Sequence, residues 1–183
     1  IEEKFDIFWA EEPVRRWDYK GLKMVSDNIK AAVSTGENLN NVGDFYSLIR
    51  NQAADVLNVS SYQSGVTGLR QISNFAYAYE IPVTTMNCIG NYNAHIATSI
   101  PNHIMMEVVD PGREKAYSKW NDNISDGYLE LDDTPGIGLI VDEDSLDELK
   151  NQKIDREPKK PWGRRKGAGL YIHDFKKDEV KWK

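Results

Sequence analysis

Five short apolar runs, separated by longer segments of helical period, constrain this chain more than any other feature of its sequence. The runs are DIFWAE (residues 6–11), AAVSTG (31–36), DVLNVS (55–60), PVTTM (82–86) and IMMEVV (104–109), most of them apolar continuously rather than alternately. A strand with one face in water alternates apolar and polar residues, whereas a strand covered on both faces does not need to; these runs therefore predict a parallel sheet clad in helices. The segments between them supply the helices. Residues 17–28 carry Leu22 and Val25, residues 42–50 carry Val42, Phe45, Leu48 and Ile49, and residues 65–79 place Val66, Leu69, Ile72, Phe75, Ala76 and Tyr79 on one face. A shorter helix is predicted over 92–99, ending before Pro101. Repeated βα units of this size build either a barrel or an open doubly wound sheet.

After Asp110 the pattern changes. Residues 111–134 are polar and rich in Gly, Asp and Asn, and TPGIGLIVDEDSLDELK then predicts a turn, a short strand and a capped helix starting near Asp144 or Ser145. PGIG lacks the strand, glycine loop and helix order of a phosphate-binding loop and reads as a turn. Charge divides the chain as well. Eleven of its 23 Lys and Arg but only five of its 29 Asp and Glu stand from Asn151 onward, which leaves 12 basic against 24 acidic residues before that point. An acidic body argues against nucleic acid as a partner, and the basic run KKPWGRRKG suits a solvated or intramolecular role. No apolar run approaches the length of a membrane span, no charged and then apolar leader opens the chain, and the single Cys88 cannot form an intrachain disulfide. These features predict a protein of the cytoplasm, with no membrane partner.

Acidic residues stand at or near the ends of three predicted strands: Glu11 and Glu12, Glu37, and Glu107. In a parallel sheet all strand C-termini share one edge, and in a barrel that edge is the active-site rim. Like charges brought together there repel, and a hard dication such as Mg²⁺, which takes oxygen ligands and leaves positions for substrate, removes the conflict. Paired carboxylates also serve glycoside hydrolysis, so the physics alone leaves two enzymatic readings. Each acid has an ordinary account too: Glu12 as a helix-entry charge beside Pro13, Glu37 near the positive end of the next helix, Glu107 as a satisfied core carboxylate.

The segments FWAEEPV, STGENL, DVLNVSSYQSGVTGLRQI, IPVTT, AHIATSIPN and GYLELDDTPGIGLIVDE resemble, in order and spacing, the C-terminal part of enolase-superfamily proteins of the mandelate racemase and muconate lactonizing enzyme type. The resemblance implies an α/β fold, the fourth to eighth strands of a (β/α)7β TIM-like barrel. Residues 1–118 would form this partial catalytic barrel. Residues 119–183, basic from 151, would return toward an α+β capping domain absent from this chain. It also implies that Glu11 and Glu37 are metal ligands for Mg²⁺, that a third ligand lies upstream of Ile1, and that Glu107 contacts the carboxylate of a small-molecule substrate. The family's shared step is removal of the proton α to a carboxylate, so the expected enzyme is a lyase or isomerase, foremost a dehydratase of a sugar acid or related hydroxy acid. Assembly into a homo-oligomer is expected as well.

The departures concern the acid/base groups. Racemases and sugar-acid dehydratases of this type carry an Asp at the sixth strand end and a His at the seventh; here those positions hold Val59 or Ser60, and Met86 or Asn87. The cycloisomerase Lys on the sixth strand is missing too. His95 lies in a predicted helix, His103 at the far edge and His173 in the tail, while Tyr62 and Cys88 are placed in the loops after the sixth and seventh strands. The resemblance implies instead a base, a Lys or another residue, on the second strand upstream of Ile1, and one-sided chemistry such as syn elimination of water. The alternatives are a racemase or cycloisomerase with a non-standard acid/base, and a homologue that binds metal and a carboxylate ligand without turnover.

Overall fold

The computed structural model describes residues 1–88, 91–108, 118–120, 123–137 and 139–151. Its main feature is a five-stranded parallel sheet formed by β1 (Trp9–Glu11), β2 (Ala32–Thr35), β3 (Val56–Ser60), β4 (Val83–Cys88) and β5 (His103–Val108), in the order β1-β2-β3-β4-β5. Each strand lies beside its predecessor, so the sheet has no point at which strand order reverses. A doubly wound sheet requires such a reversal. The barrel alternative is the one this chain takes.

Helices α1 (Tyr19–Asn28), α2 (Val42–Arg50), α3 (Ser61–Ala78) and α4 (Asn91–Ala97) make the crossovers. Their starts follow from local chemistry: the Asp18 side chain accepts from the Gly21 N–H, and Asn41 with Asp44 forms a reciprocal capping box. Gly65, expected to open the third helix, instead sits inside α3 with φ +66 and separates the turn Ser61–Ser64 from the longer helical stretch. One strand face and the helices bury a common core that includes Val33, Leu57, Val59 and Val83 against Leu22, Phe45, Leu48, Leu69, Ile72 and Ile96. Because side chains alternate across a strand, the residues between these point to the other face. They are Ser34, Asn58 and Thr84, all fully buried.

The outer strands differ from the expectation of burial on both faces. β1 pairs over three residues rather than six, since its ladder begins where Trp9 meets Ala32 at the start of β2. β5 exposes Ile104 and Met105. Both are edge strands in this sheet, and an edge has a neighbour on one side only.

Beyond the sheet, β6 (Ser118–Trp120) pairs antiparallel with β9 (Leu139–Val141), and β7 (Ile124–Ser125) with β8 (Tyr128–Leu129). The second pair is a hairpin within the stretch read as irregular, closed by Asp126 and Gly127 with φ +49 and +81, the two positive angles that a tight primed turn needs. Gly136 of PGIG has φ +95 in a bend, with no helix following directly. Helix α5 (Glu143–Asn151) starts one residue earlier than expected, with Asp142 accepting from the Ser145 N–H. The chain divides into two compact units, Ile1–Ser145 and Leu146–Lys183; of the second, only the end of α5 lies within the described residues. Val109, His173 and nearly all of the basic tail lie outside them. Among the described residues no helix is long and apolar enough to cross a membrane.

Candidate functional site

The three acids proposed from the sequence stand on one edge of the sheet. Glu11 is the last residue of β1, Glu37 follows β2 by two residues, and Glu107 is the fifth residue of β5. The turn at each end is built locally. The Glu12 N–H donates to the Ser34 carbonyl at 2.9 Å, carrying the ladder one residue past Glu11, and Glu12 then takes φ +42, a left-handed conformation unusual outside glycine. Gly36 has φ +129, and a Cβ there would stand 2.7 Å from both the Asn58 carbonyl oxygen and the Phe45 ring. Only glycine fits that passage. It delivers Glu37 over the rim. Asn38 then donates to Glu37 Oε1 at 3.1 Å and, more weakly, to Glu12 Oε1 at 3.4 Å.

The electrostatics tie these acids together. Although much of Glu11 is exposed, its carboxyl is raised above the usual carboxylate range, first by partial desolvation, then by the charges of Glu37, Glu107 and Glu12, against a hydrogen bond from Asn58 that lowers it. Four strand spacings in a flat sheet would separate β1 from β5 by about 19 Å, well beyond the roughly 10 Å over which exposed charges act at moderate salt. The influence of Glu107 on Glu11 therefore requires a sheet that curls, with its polar face on the concave side. A carboxylate whose ionisation is opposed by the acids around it, with hard oxygens as the donors, fits Mg²⁺, which is held by one or two carboxylates and keeps several waters. Among the described residues no three His, Cys, Asp or Glu side chains are grouped closely enough to hold a metal by themselves.

The ends of β3 and β4 carry different chemistry. Val59 faces the helices in the core, so Ser60, on the Asn58 face, is the residue at the rim; it pairs with Met86, and both are buried. The Asn87 side chain lies outside what the structure describes. Ser60 accepts from the Tyr62 N–H and caps the turn in which Tyr62 lies, exposed, within α3 rather than in a loop. Cys88 is also displaced from its expected place: it is the last residue of β4, and burial pushes its thiol up to about 12. A thiol so shifted is no nucleophile or base at neutral pH. His103 opens β5, 3.1 Å from Thr85 Oγ1, at the edge opposite the acids, and His95 lies in α4.

Sequence reasoning missed one group. Asn58 accepts at Oδ1 from Ser34 Oγ (2.6 Å) and Thr84 Oγ1 (2.8 Å), and donates from Nδ2 to Glu11 Oε1 at 3.2 Å. Its signal was present as polar residues inside each of the three central strands.

Comparison with known proteins places the chain. A family model described as enolase C-terminal domain-like matches residues 1–145, and the chain belongs to that family. It is 28% identical over 152 residues to a D-xylonate dehydratase of Haloferax volcanii, covering 79% of this chain and 37% of that protein. To a 3,6-anhydro-alpha-L-galactonate cycloisomerase of Streptomyces coelicolor it is 27% identical, over 79% of this chain and 40% of that one. A racemase from Streptomyces coelicolor A3(2), solved with bound magnesium, shares the fold with a TM-score of 0.69 at 24% identity, over 80% of this chain and 40% of that one. The chain thus spans about two fifths of the length of these relatives.

Proposed function

We propose that this chain is part of a Mg²⁺-dependent enzyme that removes the proton α to a substrate carboxylate, most specifically a dehydratase of a sugar acid or related hydroxy acid. The observation that carries the reading is the convergence of Glu11, Glu37 and Glu107 on one rim, with the Glu11 carboxyl raised by partial desolvation and then by its acidic neighbours. Glu11 and Glu37 would hold the metal, which supplies Lewis-acid neutralisation of the substrate carboxylate and of the charge that grows as the proton leaves. Glu107 would meet the same substrate carboxylate from β5, beside the oxygen on which that charge develops. The dehydratase and cycloisomerase relatives support the carboxylate-bearing sugar as substrate class.

Ser60 and Met86 are unable to shuttle a proton near neutral pH, so the base acts from outside these five strands. A base on one face suits elimination of water over inversion of the carbon. The same pair of residues favours a second reading, in which the protein holds metal and a carboxylate ligand without turnover. We place the protein in the cytoplasm as a homo-oligomer, which light scattering checks.

The test uses the full-length protein with Mg²⁺ and a panel of sugar acids in D₂O. The expected result is a 2-keto product, with Glu11→Gln losing both Mg²⁺ binding by calorimetry and at least about 100-fold in turnover, as removal of a group that stabilises charge in the transition state does. Mg²⁺ binding without product or α-deuterium across the panel would move the protein to the second reading. Unchanged Mg²⁺ binding by Glu11→Gln would remove the site from this rim.

A further inference from the structure

We infer that Asn58 is a positioning residue that aims Glu11 at the metal, locked in its orientation by Ser34 and Thr84; this rests on Glu11 being a metal ligand. The interior of a (β/α) barrel is ordinarily filled with Val, Ile and Leu. Here β2, β3 and β4 place polar side chains on that face, among them Ser34, Asn58 and Thr84, and these three are fully buried. Buried polar groups are costly unless paired, so a ring of them in place of aliphatic packing requires a compensating use.

Their bonding has a direction. An ionised carboxylate only accepts, so the amide atom facing Glu11 is the nitrogen, 3.2 Å away. The amide oxygen then faces back into the sheet, where it accepts from Ser34 Oγ at 2.6 Å and Thr84 Oγ1 at 2.8 Å. Flipping the amide would set its oxygen against the carboxylate oxygen, two acceptors with no hydrogen between them. Three strands thus fix one rotamer, and that rotamer holds one oxygen of Glu11. Glu11 ends a strand only three residues long, and the amide constrains its side chain.

Mg²⁺ affinity of the full-length protein, measured by calorimetry together with the thermal midpoint of the metal-free protein, tests this. Asn58→Leu should weaken Mg²⁺ binding by about 10- to 100-fold, the usual cost of removing a group that orients a metal ligand. Where Asn58→Leu does not fold, the pair at position 84 decides. Thr84→Val keeps the shape and loses the hydroxyl, and should weaken binding by about 2- to 10-fold, the worth of one net hydrogen bond. Thr84→Ser keeps the hydroxyl and loses a methyl, and should bind as the wild type does. A role in packing alone gives the reverse order, with Thr84→Ser the more damaged in melting temperature and Thr84→Val unchanged in affinity, and that result overturns the inference. Glu11→Gln is the control: if it abolishes binding while Asn58→Leu and Thr84→Val leave it intact, the inference fails and the metal site stands. If Glu11→Gln itself binds normally, the site reading has failed and the inference with it.

Discussion

At the ends of β1 and β2 the sheet presents carboxylates, and near the ends of β3 and β4 a helix-capping hydroxyl and a buried thioether. The two pairs of strands share their direction, their helices and their core, so the difference is chemical rather than architectural. It separates two tasks. The first half gathers negative charge that a dication would relieve, while the second holds no group that takes up or releases a proton near neutrality. Strand ends on the rim of one barrel can be exchanged without changing the wall beneath them, because the wall is set by the outward-facing residues and the rim by the last one or two positions of each strand.

Three measurements would break or sharpen this contrast. The largest effect is expected from Gly36→Ala on the carboxylate side. The added Cβ meets the Asn58 carbonyl and the Phe45 ring at 2.7 Å, in a backbone conformation with φ +129, and should cost about 2–5 kcal/mol of stability in urea unfolding from strain and overpacking together. It should also lower Mg²⁺ affinity, because Glu37 is the next residue. Ser60→Ala on the other side should cost about 1 kcal/mol, the loss of a helix cap, with Mg²⁺ affinity unchanged. An equal loss of affinity in both variants would erase the distinction between the halves.

The smallest effect concerns pH at the opposite edge of the sheet. Burial of His103 disfavours its imidazolium and lowers its pKa from the ordinary 6.5, against a smaller opposing contribution from the Met105 backbone. Between the lowered value and 6.5 the unfolded chain binds more protons than the folded one, so stability is full above 6.5 and falls as the pH drops through that window. Thermal midpoints at successive pH values should show this slope in the wild type and a shallower one in His103→Gln. The Ser60 and Met86 pair, which has no titrating group, should leave the slope as it is when Ser60 is replaced.

Much of the fold was legible because it rests on local patterns. Most core residues of α2 and α3 follow from a 3.6-residue period, although Val66 and Tyr79 of the predicted face are exposed, and β2 to β4 follow from short apolar runs between turns. The extent of β1 was not legible, since pairing depends on where its neighbour begins, and Cys88 was misplaced because the sequence has no mark for where a ladder ends. The hairpin at residues 124–129 was missed although Asp126 and Gly127 are a turn pair, since two-residue strands have no period to detect.

The candidate site divides in the same way. Glu11, Glu37 and Glu107 stood out by themselves, because charged residues at the ends of apolar runs are costly to place anywhere but at an edge. Ser34, Asn58 and Thr84 did not, because small polar residues within a strand have no fixed meaning until register sets them opposite one another. The sequence by itself determined that this chain would lay down parallel strands and finish some of them in carboxylates. Which strands became neighbours, that the sheet curls until β5 acts on β1, and that one amide in its interior reaches Glu11 were decided only in the tertiary structure, since each depends on residues 20 to 96 positions apart meeting in space.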